Sequence, residues 1–271
     1  MAPTTDEVIK AVLIRNIVQG QVYELRVRAG NRKHWSDFTE PISVLAAQRP
    51  EAPAAPIASY DASSLQLSFT WEEPSSGGSP ITAYTLYIKD KQGDFTKVEC
   101  ADETALICEV DAMTLIQDPF GYVFGDSVTA KVSARNAYSE SELSEASLPI
   151  QILTVPSSPT GLSQTDMTMT SLSFTFDAPA ETGGSPIISF RVNQATLEET
   201  PVYSVIAADL LSPEFKAENL TPKQTYLFTL EAKNAQGFSQ PSEPFEVYFN
   251  PPLPPLPPQN LQNDPAVTTD A

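Results

Sequence analysis

The sequence predicts an all-β protein built of tandem β-sandwiches. Two observations predict this class: short segments in which apolar and polar residues alternate, and the return of these segments at a period near 100 residues. A third observation is that no segment shows the 3.6-residue apolar period of a helix, so we expect no helix. With 271 residues, the chain has room for two or three such domains.

One strand recurs three times along the chain, at residues 23–31, 128–136 and 226–234. In each copy alternate side chains are apolar, which is the two-residue period of a strand with one buried face. Each copy ends at an asparagine that leads into a polar turn, as strands commonly do. The three asparagines are Asn31, Asn136 and Asn234.

A second repeat precedes two of these copies. Residues 65–71 and 172–176 are alternating segments rich in aromatic and apolar residues, which is typical of strands. Each is followed by the same pentapeptide, Gly-Gly-Ser-Pro-Ile, at residues 77–81 and 183–187. The two glycines tolerate positive φ and the proline restricts the exit, so the pentapeptide predicts a turn between two strands.

These motifs, in this order, resemble the fibronectin type III domain over roughly residues 8–250. The resemblance implies a seven-stranded immunoglobulin-like sandwich with a tryptophan in the second strand. That tryptophan corresponds to Trp71, and Phe176 replaces it in the later unit. No single motif is specific, but their repeated order is.

The resemblance also implies a tyrosine corner, in which a tyrosine at the start of the sixth strand bonds back to the backbone. The motif Leu-x-Pro-x-x-x-Tyr is complete at residues 220–226, so the corner falls on Tyr226, and on Tyr23 in the first unit. The middle unit has Val128 at this position, so we expect its corner to be missing.

The domain bounds follow from the repeats and from proline clusters. We expect a partial domain at residues 1–49 with its three C-terminal strands only, and complete domains at 53–155 and 156–250. Residues 251–271 then form a proline-rich linker and the start of a further domain. Because the junctions are short and rich in proline, the domains should form a semi-rigid rod.

The partial first domain would expose its inner face if it stood alone. Three interpretations stay open: a window cut from a longer repeat protein, completion of the ends by neighbouring copies, or a modified first domain.

Cys100 and Cys108 are the only cysteines, and they flank the turn between two predicted strands of the middle domain. We expect a disulfide, which would indicate an oxidising compartment. A reduced, buried pair is the alternative. A metal site is disfavoured because two cysteines and one distant histidine cannot complete a zinc shell.

His34, Trp35 and Phe38 lie in the loop after the first copy of the repeated strand. His34 has no neighbouring nucleophile or carboxylate to suggest catalysis. In the family that the chain resembles, the equivalent loop often contacts partners, so the three residues form a candidate contact loop. Burial of Trp35 and Phe38 against the adjacent domain is the alternative.

Two further motifs concern glycosylation and a proline-rich linker. Asn219-Leu220-Thr221 is a glycosylation sequon, used only if the chain is secreted and opposed by the proline that follows. Residues 251–258 contain six prolines and predict a polyproline II linker. A groove ligand would usually carry a flanking lysine or arginine, and none is near.

The net charge is −18, from 34 acidic and 16 basic residues. Such a surface repels phosphate backbones, so we expect no nucleic acid as a partner. The sequence has no catalytic motif, no cofactor or metal motif and no apolar run long enough to span a membrane. Its partners are therefore expected to be other proteins or neighbouring copies of itself.

The sequence thus predicts a non-catalytic structural or adhesive segment of a large extracellular or cell-surface repeat protein, acting as a spacer or as a building block of a filament or coat. One alternative is an intracellular cytoskeletal scaffold of the same repeats, for which reduced cysteines would be expected. Another is the spacer of a larger secreted enzyme.

Overall fold

The computed structural model describes residues 11–252. The chain divides into two compact units between Leu153 and Thr154, and each unit has its own hydrophobic core. Among the described residues no helix is long and apolar enough to cross a bilayer. The finer domain bounds stay predictions.

Within the first unit the described residues form ten strands and one short helix. These are β1 (Val22–Leu25), β2 (Ile42–Leu45), β3 (Ile57–Asp61), β4 (Gln66–Thr70), β5 (Ile81–Lys89), β6 (Phe95–Val98), β7 (Ile107–Asp111), α1 (Ala112–Ile116), β8 (Ser127–Val128), β9 (Ala130–Asn136) and β10 (Ile150–Gln151).

Strands β3 to β10 form an antiparallel sandwich. One sheet has the order β3-β4-β7, and the other has the order β6-β5-β9. The short pair β8–β10 adjoins β9 in sequence, so β8 and β9 together take the place of the sixth strand. Leu67 and Phe69 of the first sheet and Leu86 and Val132 of the second are fully buried in one core, as the two-residue period predicts.

The second unit repeats this design with strands β11 to β18. These are β11 (Thr160–Met167), β12 (Leu172–Asp177), β13 (Ser189–Thr196), β14 (Ser204–Leu210), β15 (Glu214–Ala217), β16 (Gln224–Asn234), β17 (Gly237–Phe238) and β18 (Phe245–Phe249). One sheet has the order β11-β12-β15, and the other joins β14, β13, β16 and β17, with β18 also paired to β16. The predicted all-β sandwich class is thus confirmed.

The expectation of no helix is wrong at one place, since α1 covers Ala112–Ile116. The Oδ1 atom of Asp111 caps it by accepting the N–H of Met113 at 2.8 Å. Leu115 is fully buried in the core. A five-residue helix is too short to show an apolar stripe, so the periodicity could not indicate it.

Residues 11–49 contain two paired strands, β1 and β2. The prediction of three strands covers residues 1–49, part of which lies outside the described residues, so it stays a prediction. The positions that are fully buried in the complete domains are only half-buried here. Tyr23 and Leu25 are partly covered, whereas their equivalents Val128 and Ala130 are fully buried. The inner face of β1 therefore has the alternating apolar residues of a core strand, but these residues are only partly buried.

Trp71 and Phe176 occupy equivalent core positions in the two sandwiches. Trp71 is 7% exposed and packs against Tyr84 with ring centroids 5.6 Å apart, and Phe176 packs against Phe190 at 5.0 Å. The Nε1 atom of Trp71 has no hydrogen-bond partner among the described residues. Phenylalanine therefore replaces tryptophan in the second unit without giving up an indole hydrogen bond.

Candidate functional site

The asparagine that ends the repeated strand β9 holds two other segments together. The Nδ2 atom of Asn136 donates to the carbonyl oxygens of Gln48 and Ser76, at 2.8 Å each. Its Oδ1 atom accepts the backbone N–H groups of Tyr138 and Ser139, at 2.9 and 3.0 Å. One side chain therefore closes its own turn and ties the incoming linker to the Gly-Gly-Ser-Pro-Ile loop.

The first glycine of that loop is required by the linker. Gly77 has φ +71°, and an added Cβ would lie 2.4 Å from the Gln48 carbonyl oxygen and 2.5 Å from that of Arg49. The backbone N–H of Gln48 donates to the Gly77 carbonyl at 2.8 Å, and the N–H of Glu51 donates to Ser75 at 3.0 Å. Only a residue without Cβ allows the two backbones to come this close.

The second unit repeats these contacts. The Nδ2 atom of Asn234 donates to the carbonyl oxygens of Thr154 and Thr182, at 2.7 and 2.8 Å. The N–H of Thr154 donates to the Gly183 carbonyl at 2.9 Å, and a Cβ on Gly183 would lie 2.1 Å from the Thr154 oxygen. We call this arrangement of asparagine, glycine loop and linker the linker clamp.

A second recurring device follows the same strand. In the first unit the N–H of Ala130 donates to Ser147 Oγ at 3.0 Å, while the N–H of Ser147 donates to the Ala130 carbonyl at 2.8 Å. The same reciprocal pair joins Val132 to Ser144. We call the set the serine ladder. Its members are Ser141, Ser144 and Ser147, Ser239 and Ser242, and Ser36 and Thr39.

The ladder positions the candidate contact loop. Ser36 and Thr39 each bond reciprocally to the strand, and their three-residue spacing is that of a polyproline II turn. Trp35 and Phe38 each precede a ladder residue, so they lie on the same side. The guanidinium carbon of Arg28 lies 4.6 Å from the Trp35 ring centroid and 4.9 Å from that of Phe38.

We call residues 26–39 the aromatic hairpin. Trp35 and Phe38 are 65% and 55% exposed, and His34 is also exposed. His34 serves the turn through its backbone, since its N–H donates to Asn31 Oδ1 at 2.9 Å. Gly30 lies beneath the Trp35 ring, where an added Cβ would meet ring atoms at 2.9 Å. The contact role of these residues stays a prediction.

The tyrosine corner is formed at both predicted positions. The hydroxyl of Tyr226 accepts the N–H of Thr221 at 2.9 Å, and that of Tyr23 accepts the N–H of Val18 at 2.8 Å. In each case the donor lies five residues before the tyrosine.

The middle domain lacks the tyrosine, but another side chain accepts the equivalent backbone N–H. Five residues before Val128, the N–H of Val123 donates to Oδ2 of Asp126 at 2.8 Å. The same carboxylate pairs with Lys91 Nζ at 2.6 Å. Burial raises the pKa of the Asp126 carboxyl, but the hydrogen bonds from Lys91 and Val123 outweigh it, so the pKa lies below its ordinary value.

Cys100 and Cys108 form a disulfide in the structure, with their Cα atoms 5.3 Å apart. Cys108 lies in β7, whereas Cys100 follows β6, so the bond links the two sheets of the sandwich. The enclosed loop is also held by its backbone, because the N–H of Tyr84 donates to the Glu103 carbonyl at 2.6 Å. The redox state of the pair in the cell stays a prediction.

Asn219 is exposed and adopts φ +59°, while its neighbour Leu220 is 4% exposed and belongs to the core. The sequon asparagine thus faces solvent, and its glycosylation stays a prediction. Of the proline-rich tail, residues 253–271 lie outside the described residues. Residues 11–252 contain no cluster of three or more histidine, cysteine or acidic side chains able to hold a metal ion.

Sequence reasoning missed the linker clamp, the serine ladder and the role of Asp126. The ladder leaves a signal that could have been found, a hydroxyl residue at every third position after the repeated strand, as in Ser141, Ser144 and Ser147. The clamp leaves two separate signals, the asparagine and the pentapeptide, whose contact depends on tertiary structure. The Asp126 contact has no counterpart in the repeated sequence motifs.

The comparisons with known proteins agree with this geometry. The family profile of the fibronectin type III domain matches residues 157–248, which form most of the second unit. The relatives that the chain resembles contain domains of the same type. The second unit therefore contains a fibronectin type III domain, and the first unit repeats its two-sheet arrangement.

Three relatives match over most of this chain. Titin of Drosophila melanogaster is 25% identical over 86% of the chain, protein sidekick-2 of Gallus gallus 27% over 91%, and myomesin-2 of Homo sapiens 25% over 85%. The chain spans 1%, 12% and 16% of the length of these relatives. They include both cell-surface and intracellular muscle proteins.

Proposed function

We propose that this chain is a non-catalytic structural and adhesive segment of a larger repeat protein, in which the domains act as spacers with restricted linkers. The observation that carries the proposal is the linker clamp, which recurs with the same contacts around Asn136 and Asn234. A linker bonded at several points to its domain has fewer orientations than a free chain of equal length.

The clamp is tested by replacing Asn136 with aspartate and with alanine. Aspartate keeps the oxygen that accepts the turn N–H groups but loses the Nδ2 donor, whereas alanine loses both. We expect Asn136→Asp to speed amide hydrogen exchange at Gln48 by about tenfold while Tyr138 keeps its protection. Unchanged exchange at Gln48 would show that the asparagine does not hold the linker.

The spacer role is tested on the motion of the two units. We expect ¹⁵N relaxation of the wild-type chain to report coupled tumbling, and Asn234→Asp to make the rotational correlation times of the units more independent. Fully independent tumbling in the wild-type chain would contradict a spacer with a restricted linker.

We further propose an extracellular or cell-surface location, with the domains used as building blocks of a filament or coat. The Cys100–Cys108 disulfide supports an oxidising compartment, because such bonds rarely persist in the cytosol. The charge of −18 supports a surface that stays soluble in a crowded array.

A second candidate is an intracellular scaffold, which the similarity to titin and myomesin-2 supports. The intact mass of natively purified protein, measured after treatment with an alkylating agent, separates the two candidates. An unalkylated chain about 2 Da lighter than its reduced form supports the oxidising compartment. Two alkylated thiols would contradict it and favour the scaffold.

A further inference from the structure

Charge is unevenly divided along this chain. Residues 1–49 carry seven lysines and arginines against five aspartates and glutamates, whereas residues 50–271 carry nine against 29. The excess of cations is concentrated in the aromatic hairpin, where Arg26, Arg28, Arg32 and Lys33 occur within eight residues. The aromatic hairpin is thus basic in an acidic protein.

Arg26 and Lys33 of this hairpin are available for contacts. Within residues 11–252 no ion pair involves Arg26, Arg28 or Lys33. The second unit differs at the equivalent place: Arg191 stacks on Phe238 at 3.9 Å, but Glu231 neutralises it through an ion pair. Lys233 Nζ also lies 5.0 Å from the Phe238 ring centroid, so the two sites differ in whether a carboxylate pairs with the stacked arginine.

The outer face of the sheet β3-β4-β7 has the complementary character. Its exposed side chains include the carboxylates of Asp61, Glu109 and Asp111. Ile57 and Ile107 lie at the other end of the same face, and they are 73% and 42% exposed. No lysine or arginine occurs in these three strands.

The two ends of this face are four residues apart along each strand, or about 13 Å at the rise of a β-strand. The face therefore offers both carboxylates and exposed apolar side chains, and the hairpin offers both cations and exposed rings. Arg26 and Lys33 are opposite in charge to the carboxylates, and Trp35 and Phe38 are apolar like the isoleucines.

We propose that the aromatic hairpin of one copy of this chain binds the outer face of β3-β4-β7 of a second copy. The two surfaces are different, so the contact is head-to-side: the copy that binds through its hairpin keeps a free face, and the copy that binds through its face keeps a free hairpin. This contact rests on the proposed structural function, and it names a second copy as the partner of a filament or coat.

The test is sedimentation equilibrium of the full 271-residue chain over a concentration series. We expect self-association at low salt that weakens about tenfold in 0.3 M salt, because the contact joins opposite charges. The hairpin variant is Arg26→Glu with Lys33→Glu, which leaves the stacked Arg28 in place. The face variant is Ser59→Lys with Glu109→Lys, which leaves Asp61 and the helix-capping Asp111 in place.

Each variant alone should be monomeric, and an equal mixture of the two should associate again, since each then offers the charge that the other lacks. Restored association in the mixture also shows that both variants are folded. Glu246→Lys changes one exposed charge in the second unit and should leave self-association unchanged.

The proposal is overturned if the wild-type chain stays monomeric at low salt, or if the mixture does not associate. It is also overturned if the chain is monomeric and binds a sulfated polysaccharide through Arg26 and Lys33, because the partner of the hairpin is then a polyanion and not a second copy. A monomeric chain whose Gln48 amide still depends on Asn136 would contradict this contact and leave the spacer function intact.

Discussion

The carboxylate of Asp126 accepts the backbone N–H of Val123 at 2.8 Å, in the place where a tyrosine hydroxyl serves the same backbone position in the neighbouring repeats. The corner of the middle domain is therefore kept by a different side chain. A short carboxylate reaches this N–H from two residues before the strand position that tyrosine would occupy, and Lys91 holds it there.

Replacing Asp126 with alanine should lower the free energy of unfolding of the middle domain by about 1–2 kcal/mol, because one charge-assisted hydrogen bond and one ion pair are lost. Asp126→Asn keeps an oxygen for Val123 and should cost less. Urea unfolding at pH 7 measures both. Equal costs for the two variants would show that the Val123 contact contributes nothing.

The stabilisation by Asp126 should depend on pH in a defined direction. Its pKa is lowered in the folded protein, so the contribution is fully present above the unfolded value of about 3.9 and is lost as pH falls through the folded value. The stability difference between wild type and Asp126→Asn should therefore shrink below about pH 4. A difference that grows with acidity would contradict the assignment.

Gly77→Ala should destabilise the first unit by more than about 2 kcal/mol, because the new Cβ would overlap two linker carbonyl oxygens. Gly121→Ala is the matched control. Its φ of +66° is close to the +71° of Gly77, but its Cβ would meet nothing nearer than 3.9 Å. The control should cost only the backbone strain, about 1 kcal/mol. Urea unfolding compares the two variants.

Tyr226→Phe should destabilise the second unit by about 1 kcal/mol, since the N–H of Thr221 loses its acceptor while the ring stays in the core. Tyr248→Phe removes the same hydroxyl from a side chain that is 56% exposed and should change stability little. Thermal unfolding measures both variants. A similar loss in both would mean that the corner contributes no more than any surface hydroxyl.

Replacing Cys100 and Cys108 together with alanine should lower the stability of the middle domain by about 2.5 kcal/mol, the chain-entropy value for a loop of this size. Reducing agent should lower the wild-type stability by a similar amount and leave the double variant unchanged. If reducing agent has no effect on natively purified wild-type protein, the disulfide does not form in that source.

The sequence alone determined the class of this protein, because strand pairing leaves a two-residue period that each repeated segment shows on its own. Tyr226 and Tyr23 were also predictable, since a tyrosine corner joins residues only five apart. The helix at Ala112–Ile116 was not, because one helical turn in a β-protein leaves no periodic pattern.

The tertiary structure decided what the repeated motifs do. Asn136 and the Gly-Gly-Ser-Pro-Ile loop are about 60 residues apart, and both meet a linker that is a further 30 residues away. Hydrogen bonds between such distant backbone groups depend on how the sheets pack, and packing leaves no local signal. The stacking of Arg28 between Trp35 and Phe38 was decided in the same way, because it requires the strand and the serine ladder to lie side by side.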